Sequence, residues 1–137
     1  MTARVQVGGR CFRAYSLHLG SPLGMSPGDR RDQAAAVLED ADASPDPVII
    51  AGDFNSSGIG ELFEERGYFW PTRSVGKSVM WFSFDHVFVR GVSAGSAAGV
   101  AREVDDASDH RPAWVRLPLM QSVAAERRRR ARRARWP

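Results

Sequence analysis

Residues Val48-Ile49-Ile50-Ala51 form an unbroken apolar run, largely β-branched, that stops at Gly52. A run this short, between Pro47 and glycine, predicts a strand, and apolarity at every position predicts burial on both faces. A sheet with such a strand inside it needs cover on each side, which points to an α/β architecture. One covering element is legible just upstream. Ser26 can cap the free N–H groups of a helix, Pro27 suits its first position, and Asp29 favours its first turn. Ala34, Val37, Leu38 and Ala41 then recur at i, i+3, i+4 and i+7, an apolar stripe that Pro45 and Pro47 bring to an end.

Ahead of the helix, Arg4–Val7 and Arg10–Leu19 read as two strands joined by Gly8-Gly9, a pair suited to the positive φ angles of a two-residue hairpin turn. Downstream, a short helix is expected around Ile59–Arg66, ending at Gly67. Strands are expected over Phe84–Val89 and Ala113–Leu117, with another within Val92–Val104. Residues 68–83 are irregular and aromatic-rich. Packing and turns account for Tyr68, Phe69, Trp70, Trp81 and Phe82 more simply than stacking on a base or contact with lipid. With 137 residues, one domain is expected.

Cys11 is the only cysteine, which excludes an intramolecular disulfide and a Cys₂His₂ zinc site. No apolar run approaches the ~20 residues of a membrane span, and no signal peptide is evident, so a cytoplasmic location is the default expectation. The basic balance is local. The chain carries +3, but residues 126–137, with seven arginines and one glutamate, contribute +6, leaving −3 for residues 1–125. The Ala/Arg-rich stretch 121–137 is expected to be disordered, because its like charges repel.

Four polar clusters lie where strands end: His18; Gly52-Asp53-Phe54-Asn55; Phe84-Asp85-His86; and Ser108-Asp109-His110-Arg111-Pro112. Singly each has a plain reading. Asp53 and Asn55 beside glycine serve equally as turn residues, His18 as a structural histidine, and Asp109 as a cap. Asp85 is harder to explain away, since aspartate is depleted in strands and an apolar run follows it directly. Together the clusters supply what phosphate-ester hydrolysis needs: oxygen ligands for Mg²⁺ or Mn²⁺, a histidine–aspartate pair to move protons or stabilise charge, and a neutral amide for a phosphate oxygen.

In order and rough spacing these clusters resemble the motifs of the endonuclease/exonuclease/phosphatase superfamily, the deoxyribonuclease-I-like enzymes. Val48–Asn55 is similar to its GDFN strand-loop, Ser108–Pro112 to its SDHRP motif, Phe84–Val89 to its IDHIFV strand, and Ser16–Leu19 to its NTHL strand end. The likeness covers roughly residues 4–119. It implies a fold that is part of a two-sheet α/β sandwich with outer helices, residues 1–120 forming the C-terminal portion of the domain. It implies that His110 is the catalytic histidine, Asp85 its buttress, Asp53 the carboxylate that orients or deprotonates the nucleophile, Asn55 the phosphate-binding amide, and His18 a phosphate contact. Asp109 and Asp53 are implied as metal ligands. Gly52, Ser108, Arg111 and Pro112 are expected to be structural, and His86 to face solvent or pack.

The family's early strands, one ending in asparagine and one leading to a metal-ligating glutamate, have no counterpart in this sequence. The N-terminal half of the domain is therefore expected to be missing. The implied activity is hydrolysis of a phosphodiester or phosphomonoester by in-line attack of water, with Mg²⁺ or Mn²⁺ as cofactor. The substrate is a nucleic acid, a nucleotide, a phospholipid or an inositol phosphate. Two alternatives stand beside it: an inactive fragment, or a module binding an anionic polymer or membrane through the arginine tail. As partners, a second copy or a separate N-terminal half is expected to cover the open sheet face.

Overall fold

The computed structural model describes residues 1–92, 97–102 and 107–118. Stretch 121–137, expected to be disordered, lies outside them. In chain order the elements are β1 (Thr2–Val7), β2 (Arg10–His18), α1 (Pro27–Asp42), β3 (Val48–Asp53), α2 (Gly60–Glu65), β4 (Asp85–Arg90), β5 (Ala97–Val100) and β6 (Ala113–Arg116).

Strands β1 to β4 form one sheet in sequence order, and β5 and β6 form a second. β1 and β2 are an antiparallel hairpin whose turn residues Gly8 and Gly9 have φ of 59° and 79°, as a primed turn demands. β2 and β3 run parallel, connected through α1, and β4 returns antiparallel to β3. Mixed sheets with helices on one side give the α/β class expected from the sequence. No helix among the described residues is long and apolar enough to cross a membrane.

α1 begins at a complete capping box. The Ser26 hydroxyl accepts from the Asp29 amide, and the Asp29 carboxylate accepts from the Ser26 amide. Its buried residues are Ala34, Leu38 and Ala41 of the expected stripe, together with Arg30, whose guanidinium donates to the Met25 carbonyl. Beneath it lie Tyr15, Val48 and Ile50 from the sheet, joined by Phe54, Ile59, Phe63, Tyr68, Trp70 and Phe88. Phe63 stacks on Phe88 at 3.9 Å, and Phe54 meets both rings edge-on at 5.5 and 5.2 Å. Tyr68 and Trp70 are therefore core, as packing predicts, whereas Phe69, Trp81 and Phe82 are exposed.

Two expectations need correction. β3 continues past Gly52 to Asp53, and it is buried on one face rather than two. Val48 and Ile50 are inaccessible beneath α1, but Ile49 and Ala51 are half-buried. The reason is coverage. On that second face β6 reaches β4, while Val5 and Val7 in β1 remain 41% and 43% exposed.

Candidate active site

The site is assembled by strand register. His18 pairs with Asp53 across β2 and β3, and Asp53 pairs with Asp85 across β3 and β4. Directly paired residues project from the same face of a sheet. The three therefore form one row at the end of the sheet, on the face opposite the aromatic core.

The Gly52-Asp53-Phe54-Asn55 loop divides its labour residue by residue. Gly52 has φ of 149°, and a side chain there would collide with the carbonyl oxygen of Leu17. Asp53 faces the site. Phe54 turns the other way into the core, with no exposure. Asn55, at φ 48°, is buried; its side-chain amide donates to the Leu19 carbonyl at 2.8 Å and its backbone amide donates to Asp53 Oδ1 at 2.8 Å. The Leu19 amide in turn donates to the Asp53 carbonyl.

His110 arrives from the segment preceding β6. It bridges to Val79, and the next amide, that of Arg111, donates to the Ser78 carbonyl. Ser78 also accepts from the Phe84 and Asp85 amides through its buried hydroxyl. One serine thus ties the His110 segment to the start of β4, and no pattern in the sequence singled it out. The Ser108 hydroxyl accepts from the His110 amide, the structural part expected of it.

The resulting geometry centres on Asp53 Oδ2. His18 Nε2 lies 3.7 Å from it and His110 Nε2 3.8 Å. His110 Nδ1 donates to Asp85 Oδ2 at 2.8 Å, which fixes the ring orientation and leaves Nε2 directed toward Asp53. His110 is partly buried and His18 is exposed. Burial disfavours the imidazolium of His110. The hydrogen bond to Asp85 and the charges of Asp85, Asp53 and Asp109 outweigh it, so the pKa is raised above the ordinary histidine value.

Asp53, Asp85, His110 and, at the rim, His18 are thus brought together. Asp109 stands exposed beside them, outside the close group that Asp53, Asp85 and His110 make. The two carboxylates of that group are Asp53 and Asp85. Asn55 is tied to Leu19, a positioning contact. His86 is 2% exposed, against the solvent-facing alternative. Its Nε2 donates to the Ser56 carbonyl at 2.9 Å, and its ring meets Trp70 edge-on. Burial depresses its pKa despite that bond and the nearby acids.

The donor set suits a hard divalent cation. Two carboxylates lie within 4.8 Å of each other and of His110, and Asp53 Oδ2 has no hydrogen-bond donor at normal distance among the described residues. Mg²⁺ is commonly held by one or two carboxylates, with waters and substrate phosphate completing its shell.

A profile of the Endonuclease/Exonuclease/phosphatase family matches residues 3–110. The chain belongs to this family. A UPF0294 protein of Vibrio cholerae is 35% identical over 104 residues, 66% of this chain and 34% of that protein. Among solved structures, a family protein from Leptotrichia buccalis aligns with a TM-score of 0.64 at 18% identity, over 86% of this chain and 53% of the other. A humanized D. rerio TDP2 aligns at 0.60 and 25% identity, over 80% and 53%. A mannosyl-6-phosphatase from Bacteroides thetaiotaomicron aligns at 0.56 and 22%, over 81% and 52%. The chain spans about a third of the curated relative's length and about half of each structure's.

The two perturbed histidines of this Endonuclease/Exonuclease/phosphatase chain lead to a pH prediction. His110, with a raised folded pKa, contributes stability that is complete below the unfolded value near ~6.5 and is lost as pH rises through the folded value. His86, with a lowered folded pKa, contributes stability above ~6.5 that is lost as pH falls toward its folded value. Thermal melts between pH 5 and 8 are expected to peak near pH ~6.5. Asp85→Asn should flatten the alkaline limb and His86→Phe the acid limb. Unchanged limbs in both variants would remove the histidines as the cause.

Proposed function

We propose that this chain is the C-terminal portion of a metal-dependent phosphoesterase that hydrolyses a phosphodiester or phosphomonoester by in-line attack of water. The observation that carries the reading is the Asp53 carboxylate oxygen flanked by two imidazole Nε2 atoms at 3.7 and 3.8 Å, one of them anchored to Asp85. Acid, base and orienter in that relation are what proton management at a phosphoryl centre requires.

Asp53 Oδ2 accepts a hydrogen bond from the attacking water, orients it toward phosphorus and takes its proton as the new P–O bond forms; the opposite P–O bond to the leaving group breaks, and that oxygen departs with the electron pair and takes a proton from solvent. His110, whose protonated form is favoured by Asp85 and the neighbouring acids, donates Nε2–H to a non-bridging phosphoryl oxygen. His18, exposed at the rim, donates to the phosphate from the opposite side. Asn55 holds the Asp53 loop against the end of β2 through Leu19. Asp53 and Asp85 would hold the divalent cation, Mg²⁺ or Mn²⁺, which when bound supplies positive charge against the phosphoryl oxygens. Structural neighbours described as a mannosyl-6-phosphatase and as TDP2 complexed with single strand DNA product support ester hydrolysis in general and leave both monoester and diester open.

The direct test measures release of p-nitrophenol from bis(p-nitrophenyl) phosphate and from p-nitrophenyl phosphate with Mg²⁺, Mn²⁺ or EDTA. Turnover with either cation that EDTA abolishes is expected. Turnover equal in EDTA would refute metal dependence. The half-length match to solved relatives favours a second reading, an inactive fragment. No turnover from the chain alone, together with turnover once the N-terminal half of a relative is added, would support that reading.

A further inference from the structure

A concave pocket of about 380 Å³ is lined by Val75, Gly76, Lys77, Val100, Arg102 and Arg111. Three of those six residues are cations, all exposed, and no carboxylate is among its described lining residues. Among the described residues none of the three is in an ion pair, and Lys77 Nζ instead sits 5.4 Å over the ring of the exposed Trp81. A second pocket of about 350 Å³ provides the contrast. It also holds two arginines, but Arg4 is paired with Asp46 at 2.7 Å and Arg13 with Asp40 at 3.5 Å, so its charge is neutralised within the chain.

The basic pocket is built on the same scaffold as the active site. Arg111 follows His110 directly, and its amide donates to the carbonyl of Ser78, the residue after Lys77. Like charges gathered in a concavity reinforce one another's potential and concentrate counter-ions there. The surrounding body is mildly acidic by sequence, so this is not the local expression of a generally basic surface.

We propose that the Lys77–Arg102–Arg111 pocket is a second oxyanion subsite, which takes a phosphate group of the substrate other than the one cleaved. Assigning that phosphate to the substrate rests on the phosphoesterase reading; the affinity for an oxyanion does not. Guanidinium forks and an ammonium supply donors suited to a tetrahedral oxyanion. Trp81, beside Lys77, offers a planar surface to whatever the phosphate is attached to.

The test is binding by the full chain in EDTA, where a strand is not cleaved, so absence of turnover does not affect the readout. The probe is fluorescently labelled single-stranded tetrathymidylate, followed by anisotropy across a salt series, with inorganic phosphate as second probe by calorimetry. Lys77→Gln/Arg102→Gln is expected to weaken tetrathymidylate binding about tenfold and to lower the salt slope by roughly 1 to 2. Arg4→Gln, in the neutralised pocket, is expected to change neither. Circular dichroism melts that match wild type exclude unfolding as the cause, and single Lys77→Gln and Arg102→Gln variants replace the double if it fails that check. Equal binding by wild type and the folded variants, or equal weakening by Arg4→Gln, would overturn the subsite. A loss confined to inorganic phosphate, with tetrathymidylate unaffected, would make the pocket a free-phosphate site and overturn its assignment to substrate.

Discussion

His110→Ala is expected to lower kcat for phosphoester hydrolysis by about 10²- to 10⁴-fold, the usual contribution of a positioned acid or base. The arrangement supports an effect of that size because no described neighbour is placed to take over. His18 approaches Asp53 from the rim but is 76% exposed in its side chain and, among the described residues, has no carboxylate behind it comparable to Asp85. Asp85→Asn is expected to act through His110, lowering kcat and shifting the pH profile toward lower pH, because the amide removes the charge that helps raise the histidine's pKa. KM should change less than kcat in both variants. A His110→Ala enzyme within threefold of wild type would remove the residue from the chemistry.

The second large effect is on stability. Phe88→Ala is expected to cost about 3–5 kcal/mol. Phe88 is fully buried, stacks on Phe63, and meets Phe54 edge-on. Its removal opens a cavity where β4, the loop after β3 and α2 converge. A typical domain has only about 5–15 kcal/mol in total, and the half-covered second sheet face argues for the lower end here. Urea titration followed by near- and far-ultraviolet circular dichroism checks it. A change in midpoint equivalent to under about 1 kcal/mol would mean that the site collapses around the gap without loss.

The same half-covered face bears on association. Ile49, Ala51, Val5 and Val7 leave apolar area to water, and we propose that a second copy or a separate N-terminal half covers it. Light scattering at several concentrations is the measurement, and a monodisperse monomer would refute that proposal.

Much of this was legible because the signals were local. Two consecutive glycines have few uses other than a primed turn, and Gly8 and Gly9 make one. Ser26, Pro27 and Asp29 specify a helix start without reference to the rest of the chain. Asp85 stood out because a carboxylate opening an apolar strand is costly without a partner, whereas Asp53 and His110 were given roles only by the resemblance to the family's motifs. What escaped depended on direction and distance. Asp109 and His110 are adjacent in sequence, and their identities do not say which of the two turns inward. Ser78 was invisible because a serine in an irregular stretch carries no pattern, yet its hydroxyl and carbonyl hold two distant segments together. The one-sided burial of β3 could not be read from four apolar letters, since the coverage of a strand is a property of its neighbours.

The row His18, Asp53, Asp85 crosses three strands, and in a strand each step of one residue reverses the face. Slippage of β3 by a single position would send Asp53 toward Phe63 and Phe88 and bring Phe54 out among the histidines. Misalignment would thus bury a charge and dismantle the candidate site in one movement. Strand alignment and the proposed hydrolysis are therefore linked: with β3 one residue out of step, Asp53 no longer faces the two histidines.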